Sequence, residues 1–257
     1  MISIIIPTYK ERENLELLLP RIADVLDKGT YEILVVDDDS QDGSEELCAN
    51  LSETLPLRFI KRLEERDLSR AVLEGFDRAK GDYLFCMDAD FSHPPELIPT
   101  MLNSLQEGHG MVLASRYVEG GAVDKHWGGL RWVNSVMASL LSRPLTSLKD
   151  PMSGYFCLRK VDFQSQRTSY SPMGYKIALE LLVKLRLSTV ELPFNFEMRR
   201  HGESKLNFKQ RYLFLRHLVK LYVYKLRYLR NSTKVGARLH SSEASDYNRL
   251  QKLGKKL

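Results

Sequence analysis

Short apolar runs alternate with amphipathic stretches along the first half of the chain. The runs have the length and composition of buried strands and lie at residues 2–6, 31–36, 57–60, 83–87 and 111–114. Between them, apolar residues recur every three or four positions, which predicts helices at residues 11–26, 45–51, 68–79 and 96–105. Strands and helices alternating at this spacing predict an α/β fold built on a mostly parallel sheet with flanking helices.

The pattern continues beyond residue 115 with wider spacing. Glycines punctuate residues 120–129, so this stretch is a candidate lid beside a site. Helices are predicted at residues 131–141 and 174–185. Residues 150–158 are expected to form a turn that leads into a strand, and residues 189–198 a further strand.

The C-terminal segment 207–230 combines a basic stripe with a Tyr- and Leu-rich surface. Lys209, Arg216, Lys220 and Arg227 share one helical face. This pattern is typical of a basic amphipathic helix that lies in a membrane interface. A final helix packed on the domain, with its cations in water, fits the same pattern. Residues 231–257 are polar and lack an apolar period, which predicts a weakly ordered tail.

The net charge of +5 is unevenly distributed. Residues 199–257 carry 16 Lys and Arg against 3 acids, a local charge of +13, whereas residues 1–198 carry −8. A basic end on an acidic body indicates contact with an anionic surface. We expect that surface to be a membrane and not nucleic acid, because the apolar face is large and no recognition module is present. No uncharged run approaches the roughly 18 residues of a membrane span.

The cysteines and the N-terminus indicate a cytoplasmic protein. Cys48, Cys86 and Cys157 are far apart and odd in number, as expected of buried free thiols in a reducing compartment. The apolar run at residues 2–6 lacks a basic start and is too short for a signal peptide. Together with the basic segment, these features predict a peripheral protein at the cytoplasmic face of a membrane.

Carboxylates follow two of the predicted strands. Asp88 and Asp90 end the run at 83–87, and Asp38 ends the run at 31–36. Because ligands bind beyond the carboxyl ends of parallel strands, these groups should meet at one edge of the sheet. Two carboxylates there suit Mg²⁺ or Mn²⁺ that is shared with substrate phosphates, although an acidic turn without a metal is the alternative. Glycine-rich phosphate-binding loops are absent from the sequence.

Several motifs occur in an order that resembles the GT-A family 2 glycosyltransferases. They are Pro-Thr-Tyr-Lys-Glu at 7–11, Val-Asp-Asp at 36–38, Asp-Ala-Asp at 88–90, Ser-Arg-Tyr at 115–117, Asp-Pro-Met-Ser-Gly at 150–154 and Gly-Glu-Ser-Lys at 202–205. Within that family the chain is most similar to the dolichol-phosphate (polyprenol-phosphate) mannose synthases. The resemblance covers about residues 2–206 and implies a Rossmann-like GT-A catalytic domain at 1–206, followed by the interfacial helix at 207–230 and the tail at 231–257.

The resemblance also implies a reaction and a set of residues. The reaction is inverting transfer of mannose from GDP-mannose to a polyprenyl phosphate. The implied donor-binding residues are Pro7, Tyr9, Glu11, Val36, Asp38, Asp88, Ala89, Asp90, Arg116, Arg199 and Lys205. Asp88 and Asp90 are the implied metal ligands, Arg131 and Ser135 lie near the acceptor phosphate, and Asp90, Arg116 and Arg131 are the implied catalytic residues.

The acceptor phosphate is already ionised at neutral pH, so the reaction requires no strong general base. We therefore expect His93, His126 and His201 to be positional or surface residues. Glu180 and Asp150 are expected to be structural.

Two positions depart from the family pattern. Asp67 stands where relatives commonly carry Gly, and Ser92 stands where some carry a Gln that could reach the metal. Some relatives also have C-terminal spanning helices, whereas this chain would meet its lipid through the basic helix or a membrane partner subunit. There are two alternative functions. One is transfer to a polyprenyl phosphate from another donor such as UDP-glucose, and the other is that of a catalytically silent subunit that binds lipid or nucleotide.

Overall fold

Strand β1, Ile2–Thr8, occupies an interior position of a seven-stranded sheet. The structure is a computed structural model that describes residues 1–123, 129–171, 173–196 and 210–230, with side chains throughout except at 129–134. Most of the candidate lid at 120–129, namely residues 124–128, lies outside the described residues, as do the end of the predicted strand at 197–198 and the tail at 231–257.

The elements follow the predicted alternation. The remaining strands are β2 (Tyr31–Asp37), β3 (Leu57–Lys61), β4 (Tyr83–Cys86), β5 (Met111–Ser115), β6 (Ala122–Val123), β7 (Phe156–Arg159), β8 (Thr189–Pro193) and β9 (Asn195–Phe196). The helices are α1 (Arg12–Val25), α2 (Ser44–Leu51), α3 (Leu68–Arg78), α4 (Ile98–Gln106), α5 (Gly129–Ser142), α6 (Lys160–Ser165) and α7 (Ile177–Leu185). Residues 210–230 are also helical.

The main sheet has the strand order β3-β2-β1-β4-β7-β5-β8 and is mostly parallel, which confirms the predicted fold class. Only β7, among the strands described, runs antiparallel to its neighbours β4 and β5. The chain enters β7 from the turn at residues 150–154, which lies at the edge where the parallel strands end. It can only continue from that edge in the opposite direction.

Both faces of the sheet are buried, which is why the strands read as continuous apolar runs. Ile4 and Ile6 of β1 pack in one cluster with residues of α1 and α4. Ile5, on the opposite face, packs in a second cluster with residues of α3 and α7. Gly75 of α3 brings this helix close to the sheet, because a Cβ there would lie 2.6 Å from a methyl carbon of Ile5.

Two local features of the structure differ from the sequence-based expectation. The strand expected at 189–198 is divided into β8 and β9 around Phe194, whose N–H donates to Ser115 O while its carbonyl accepts from Ala122 N. The backbone thus changes partner at this buried ring. Helix α6 was not predicted, because six residues are too few to show a helical period.

The chain divides into two compact units, Met1–His217 and Leu218–Leu257. Among the described residues, no helix is both long and apolar enough to span a bilayer. The three cysteines are buried free thiols, as expected.

Candidate functional site

The carboxyl ends of β1, β2 and β4 meet at one edge of the sheet. Thr8 pairs with Asp37 across β1 and β2, and Ile5 pairs with Cys86 across β1 and β4. Backbone bonds extend this pairing past the strands, from Asp38 N to Thr8 O and from Met87 N to Ile5 O. The acidic residues that follow β2 and β4 therefore leave the same edge of the sheet.

Asp90 is held in a tight turn. It is 4% exposed, and its Oδ1 accepts hydrogen bonds from Ser92 Oγ at 2.5 Å and Ser92 N at 3.2 Å. Phe91 between them has a φ of 65°, in the left-handed region that costs a non-glycine residue of order 1 kcal/mol. Ser92 thus orients the carboxylate of Asp90.

His93 supports the backbone of the acidic motif. Its Nδ1 accepts a hydrogen bond from Asp88 N at 2.9 Å, and its ring stacks on Tyr155 with centroids 4.9 Å apart. The ring is 2% exposed. This confirms that His93 is positional. Ala89, also implied in donor binding, is 3% exposed, so its side chain faces the core.

Asp88 presents the more open carboxylate. Within the described ranges, no side chain or N–H donates to it, and Gly154 lies so close that a Cβ there would be 3.5 Å from Asp88 Oδ2. The described residues form no cluster of three metal-ligating side chains. Mg²⁺ and Mn²⁺ need no such cluster where one or two carboxylates share the ion with substrate phosphates. The donor set of Asp88 and Asp90 fits such a cation.

Arg116, just after β5, forms a buried ion pair with Asp150. Its Nε and Nη2 donate to the two carboxylate oxygens of Asp150, each at 2.7 Å, and its backbone N donates to Oδ2 at 3.0 Å. Asp150 is fully buried, and its own N–H donates to Glu191 Oε1 at 2.8 Å. Burial opposes the charge on Arg116. The hydrogen bonds to Asp150 and the negative charge of Asp150 outweigh burial and raise the pKa of Arg116. The structural role expected for Asp150 is therefore the positioning of Arg116.

Asp38 is engaged by protein groups. Its carboxylate accepts from the buried Arg62 guanidinium and from Asp67 N. Burial raises the pKa of Asp38, and Arg62 opposes that rise. Asp67, the departure from the family pattern, caps α3 by accepting from Arg70 N and also binds Gly174 N at 2.8 Å. Asp67 therefore joins three separate segments at this end of the sheet.

The remaining donor-binding candidates lie around β1. Pro7 and Val36 pair across β1 and β2 with buried side chains, so only their backbone could face a ligand. The Arg66 guanidinium lies 4.2 Å from the centroid of the Tyr9 ring. Glu11 accepts from Asn14 at 2.7 Å.

The structure describes one of the two acceptor candidates. Ser135 on α5 accepts a hydrogen bond from the Tyr117 hydroxyl at 2.9 Å, one residue beyond Arg116. The side chain of Arg131 and residues Arg199 and Lys205 lie outside the described residues, as do His126 and His201.

Sequence reasoning missed two cations of this region, Arg62 and Lys176. Arg62 follows β3 and is 4% exposed; the signal that could have found it is the need of a buried Asp38 for a counter-charge. Lys176 directly precedes α7, and its Nζ donates to Met152 O at 2.7 Å. No local pattern indicated that its long side chain would reach the turn at 150–154.

Comparison with known proteins adds a family and several relatives. Residues 3–165 match the model of the family "Glycosyl transferase family 2". A "Dolichol-phosphate mannosyltransferase" of Pyrococcus furiosus is 44% identical over 86% of this chain and 63% of its own length. A protein of the same name from Saccharomyces cerevisiae is 44% identical over 87% of both chains, and a "Polyprenol monophosphomannose synthase" of Mycolicibacterium smegmatis is 35% identical over 79% of this chain and 80% of its own.

Solved structures show the same fold at lower identity. A glucosyl-3-phosphoglycerate synthase from Mycobacterium tuberculosis, crystallised with Mn²⁺ and UDP, superposes with a TM-score of 0.63. The match covers 88% of this chain and 79% of that one at 19% identity, which establishes similarity of fold alone.

Proposed function

The chain belongs to glycosyl transferase family 2, and we propose that it transfers mannose from GDP-mannose to a polyprenyl phosphate of the dolichyl type, with inversion at the anomeric carbon. The observation that carries this proposal is the convergence, at one sheet edge, of the carboxylates of Asp88 and Asp90 with a buried, oriented arginine. The names of relatives that are 35–44% identical support the choice of mannose and of a polyprenol acceptor.

The leaving group of this reaction is a nucleoside diphosphate. Asp88 and Asp90 are the residues that would hold a divalent cation, Mg²⁺ or Mn²⁺, whose charge offsets the negative charge that develops on the diphosphate. Arg116 is pre-oriented by Asp150 and needs no reorganisation to present its charge. Arg199 and Lys205 are the further cations that we assign to the donor phosphates.

The nucleoside would lie beside the ends of β1 and β2. Asp38, Glu11, the Tyr9 ring and the backbone of Pro7 and Val36 are the groups assigned to it. Because Arg62 and Asp67 N already occupy oxygens of Asp38, that carboxylate acts mainly by fixing the loop at 66–67, which presents Arg66 over Tyr9.

The acceptor phosphate is the nucleophile. It is ionised at neutral pH, so its attack on the anomeric carbon needs positioning and not proton removal. Arg131 and Ser135 are assigned to that positioning, and the hydrogen bond from Tyr117 fixes Ser135 relative to Arg116. In agreement, His93, the histidine nearest the acidic motif, is occupied in packing and backbone support.

We further propose that the enzyme works as a peripheral protein at the cytoplasmic face of a membrane. In the second unit, Val219, Val223, Leu226 and Leu229 are exposed apolar side chains, spaced to form a stripe along one side of the helical residues 218–230. Lys220 and Arg227 are exposed next to it. An apolar stripe with basic borders suits an anionic lipid surface.

Vesicle flotation tests this membrane contact. We expect the protein to float with vesicles that contain phosphatidylserine and to float less after Leu226→Gln or Lys220→Gln. Leu63→Gln is the matched control, because Leu63 is 80% exposed on the catalytic unit. Absence of binding to both neutral and anionic vesicles would favour delivery of the lipid by a membrane partner subunit.

Loss of a metal ligand tests the transfer mechanism. Asp90→Ala should abolish Mn²⁺- or Mg²⁺-dependent mannose transfer while the circular dichroism spectrum stays native. Asp82→Ala is the control, because Asp82 lies just before β4 and its side chain is 80% exposed. Undiminished mannose transfer by Asp90→Ala would contradict the proposed mechanism.

A further inference from the structure

Lys176 is a cation next to the proposed diphosphate site that none of the sequence motifs includes. It immediately precedes α7, and its side chain is half-buried. Its Nζ donates to the carbonyl oxygen of Met152 at 2.7 Å and lies 4.8 Å from the centroid of the Tyr175 ring. These contacts hold the ammonium against the turn at 150–154.

That turn connects Lys176 to the two sides of the site. At one end, Asp150 takes the bidentate ion pair of Arg116. At the other end, Gly154 faces the carboxylate of Asp88. The charges of Arg116, Asp150 and Asp88 all act on Lys176. The ammonium therefore lies within the electrostatic reach of both groups assigned to the leaving group.

The described residues provide only one acceptor for this ammonium. An ammonium has three N–H donors, and in the described ranges its hydrogen-bond acceptor is one neutral carbonyl, with no carboxylate within ion-pair distance. Asp150, the acid of this turn, already forms an ion pair with Arg116. Buried cations are ordinarily paired, and the described residues provide no carboxylate to pair with this half-buried one.

We propose that Lys176 binds a phosphate group of the substrates, its two remaining N–H groups donating to phosphate oxygens. This proposal rests on the proposed function for the identity of the substrates, but not for the chemistry of the ligand, which is a phosphate oxyanion. The oxyanion is either the donor's diphosphate or the acceptor's monophosphate. The lowered pKa of Lys176, caused first by burial and then by Arg116, agrees with a cation that no carboxylate of the described ranges pairs with.

Titration calorimetry with GDP, GMP and inorganic pyrophosphate in the presence of Mn²⁺ separates these two sources. Lys176→Met removes the charge and keeps much of the side-chain length, and Lys176→Arg keeps the charge. If the donor diphosphate is the ligand, Lys176→Met should bind GDP and pyrophosphate about 10- to 100-fold more weakly, the loss of a charge-assisted hydrogen bond. GMP should bind nearly unchanged.

If the acceptor monophosphate is the ligand, GDP affinity should stay the same and the KM for a short polyprenyl phosphate should rise by a similar factor. In both cases Lys176→Arg should recover most of the loss. Lys149→Met is the matched control, because Lys149 lies one residue before the same turn and is exposed.

Two results would overturn the proposal. One is a folded Lys176→Met protein whose GDP, pyrophosphate and acceptor parameters all stay within twofold of wild type. The other is an equal loss of GDP and GMP binding, with a reduced melting temperature and no recovery in Lys176→Arg, which would assign Lys176 a structural role in holding the turn. If wild type transfers no mannose yet binds pyrophosphate in a Lys176-dependent way, the proposed donor fails and the phosphate contact stands.

Discussion

The buried ion pair between Arg116 and Asp150 makes a quantitative prediction. Asp150→Ala removes the acceptor of three hydrogen bonds and the carboxylate that pairs with a guanidinium that is 8% exposed. Removal of one partner of a buried pair costs about 3–5 kcal/mol. For a chain of this length, that loss corresponds to a decrease in melting temperature of roughly 6–20 °C.

An exposed pair of similar geometry provides the comparison. Arg167 binds Asp77 through Nε at 2.7 Å and Nη2 at 2.5 Å, but the two side chains are 40% and 41% exposed. An exposed pair contributes about 0–1 kcal/mol. Asp77→Ala should therefore lower the free energy of unfolding by at most about 1 kcal/mol, although the number of side-chain bonds lost is the same.

A double-mutant cycle in urea denaturation isolates the pair itself. Arg116→Met with Asp150→Ala leaves no unpaired charge, so the double variant should be less destabilised than the sum of the single variants by about 2 kcal/mol or more. Additive effects, or an Asp150→Ala cost no larger than that of Asp77→Ala, would refute the assignment of Asp150 as the group that holds Arg116.

Three further predictions concern other described contacts. Ser92→Ala removes the hydroxyl that donates to Asp90 Oδ1 and should raise the Mn²⁺ concentration needed for half-maximal transfer by about tenfold, with little change in kcat at saturating metal. An unchanged metal requirement would contradict the orienting role of Ser92. Burial opposes the charge on Glu180, but hydrogen bonds from His217, Lys184 and Ser171 outweigh it and lower its pKa to about 2. Its stabilising contribution, roughly 3 kcal/mol, should be complete above about pH 5 and decrease as the pH falls toward 2. In urea unfolding, the difference in free energy of unfolding between wild type and Glu180→Gln should therefore narrow on acidification. A difference that does not depend on pH would contradict this reasoning. Burial, and after it the charge of Arg116, lowers the pKa of Lys176 to about 8, although the charges of Asp150 and Asp88 oppose this shift. Phosphate affinity should therefore weaken as the pH rises through about 8 in wild type and depend less on pH in Lys176→Arg. Parallel pH profiles of the two proteins would contradict a phosphate contact of Lys176.

The sheet and the edge that carries the candidate site could be predicted from the sequence because both depend on local patterns. Buried strands such as β1 and β2 show as apolar runs, and the acids that follow them mark the carboxyl edge. The direction of β7 could not be read in this way, because strand direction depends on where the preceding turn lies in space. Helix α6 was missed because of its length.

The contacts that organise the site depend on residues far apart in sequence. Arg116 and Asp150 are 34 residues apart, and Asp67 and Gly174 are 107 apart. Each pairing joins loops from different connections of the sheet, and periodicity carries no information on which loops become neighbours. Asp67 shows this clearly: the sequence marks it only as a departure from the family pattern, whereas in the structure it caps α3 and binds a distant segment.

Donor profiling tests the central claim most directly. The purified protein would be incubated with a short polyprenyl phosphate and Mg²⁺ or Mn²⁺, with GDP-mannose in one series and UDP-glucose or other UDP-sugars in another. We predict a β-linked polyprenyl phosphate mannose, formed from α-linked GDP-mannose and dependent on the metal. Transfer from a UDP-sugar in preference to GDP-mannose would contradict the proposed donor, and no transfer from any donor would contradict the proposed activity.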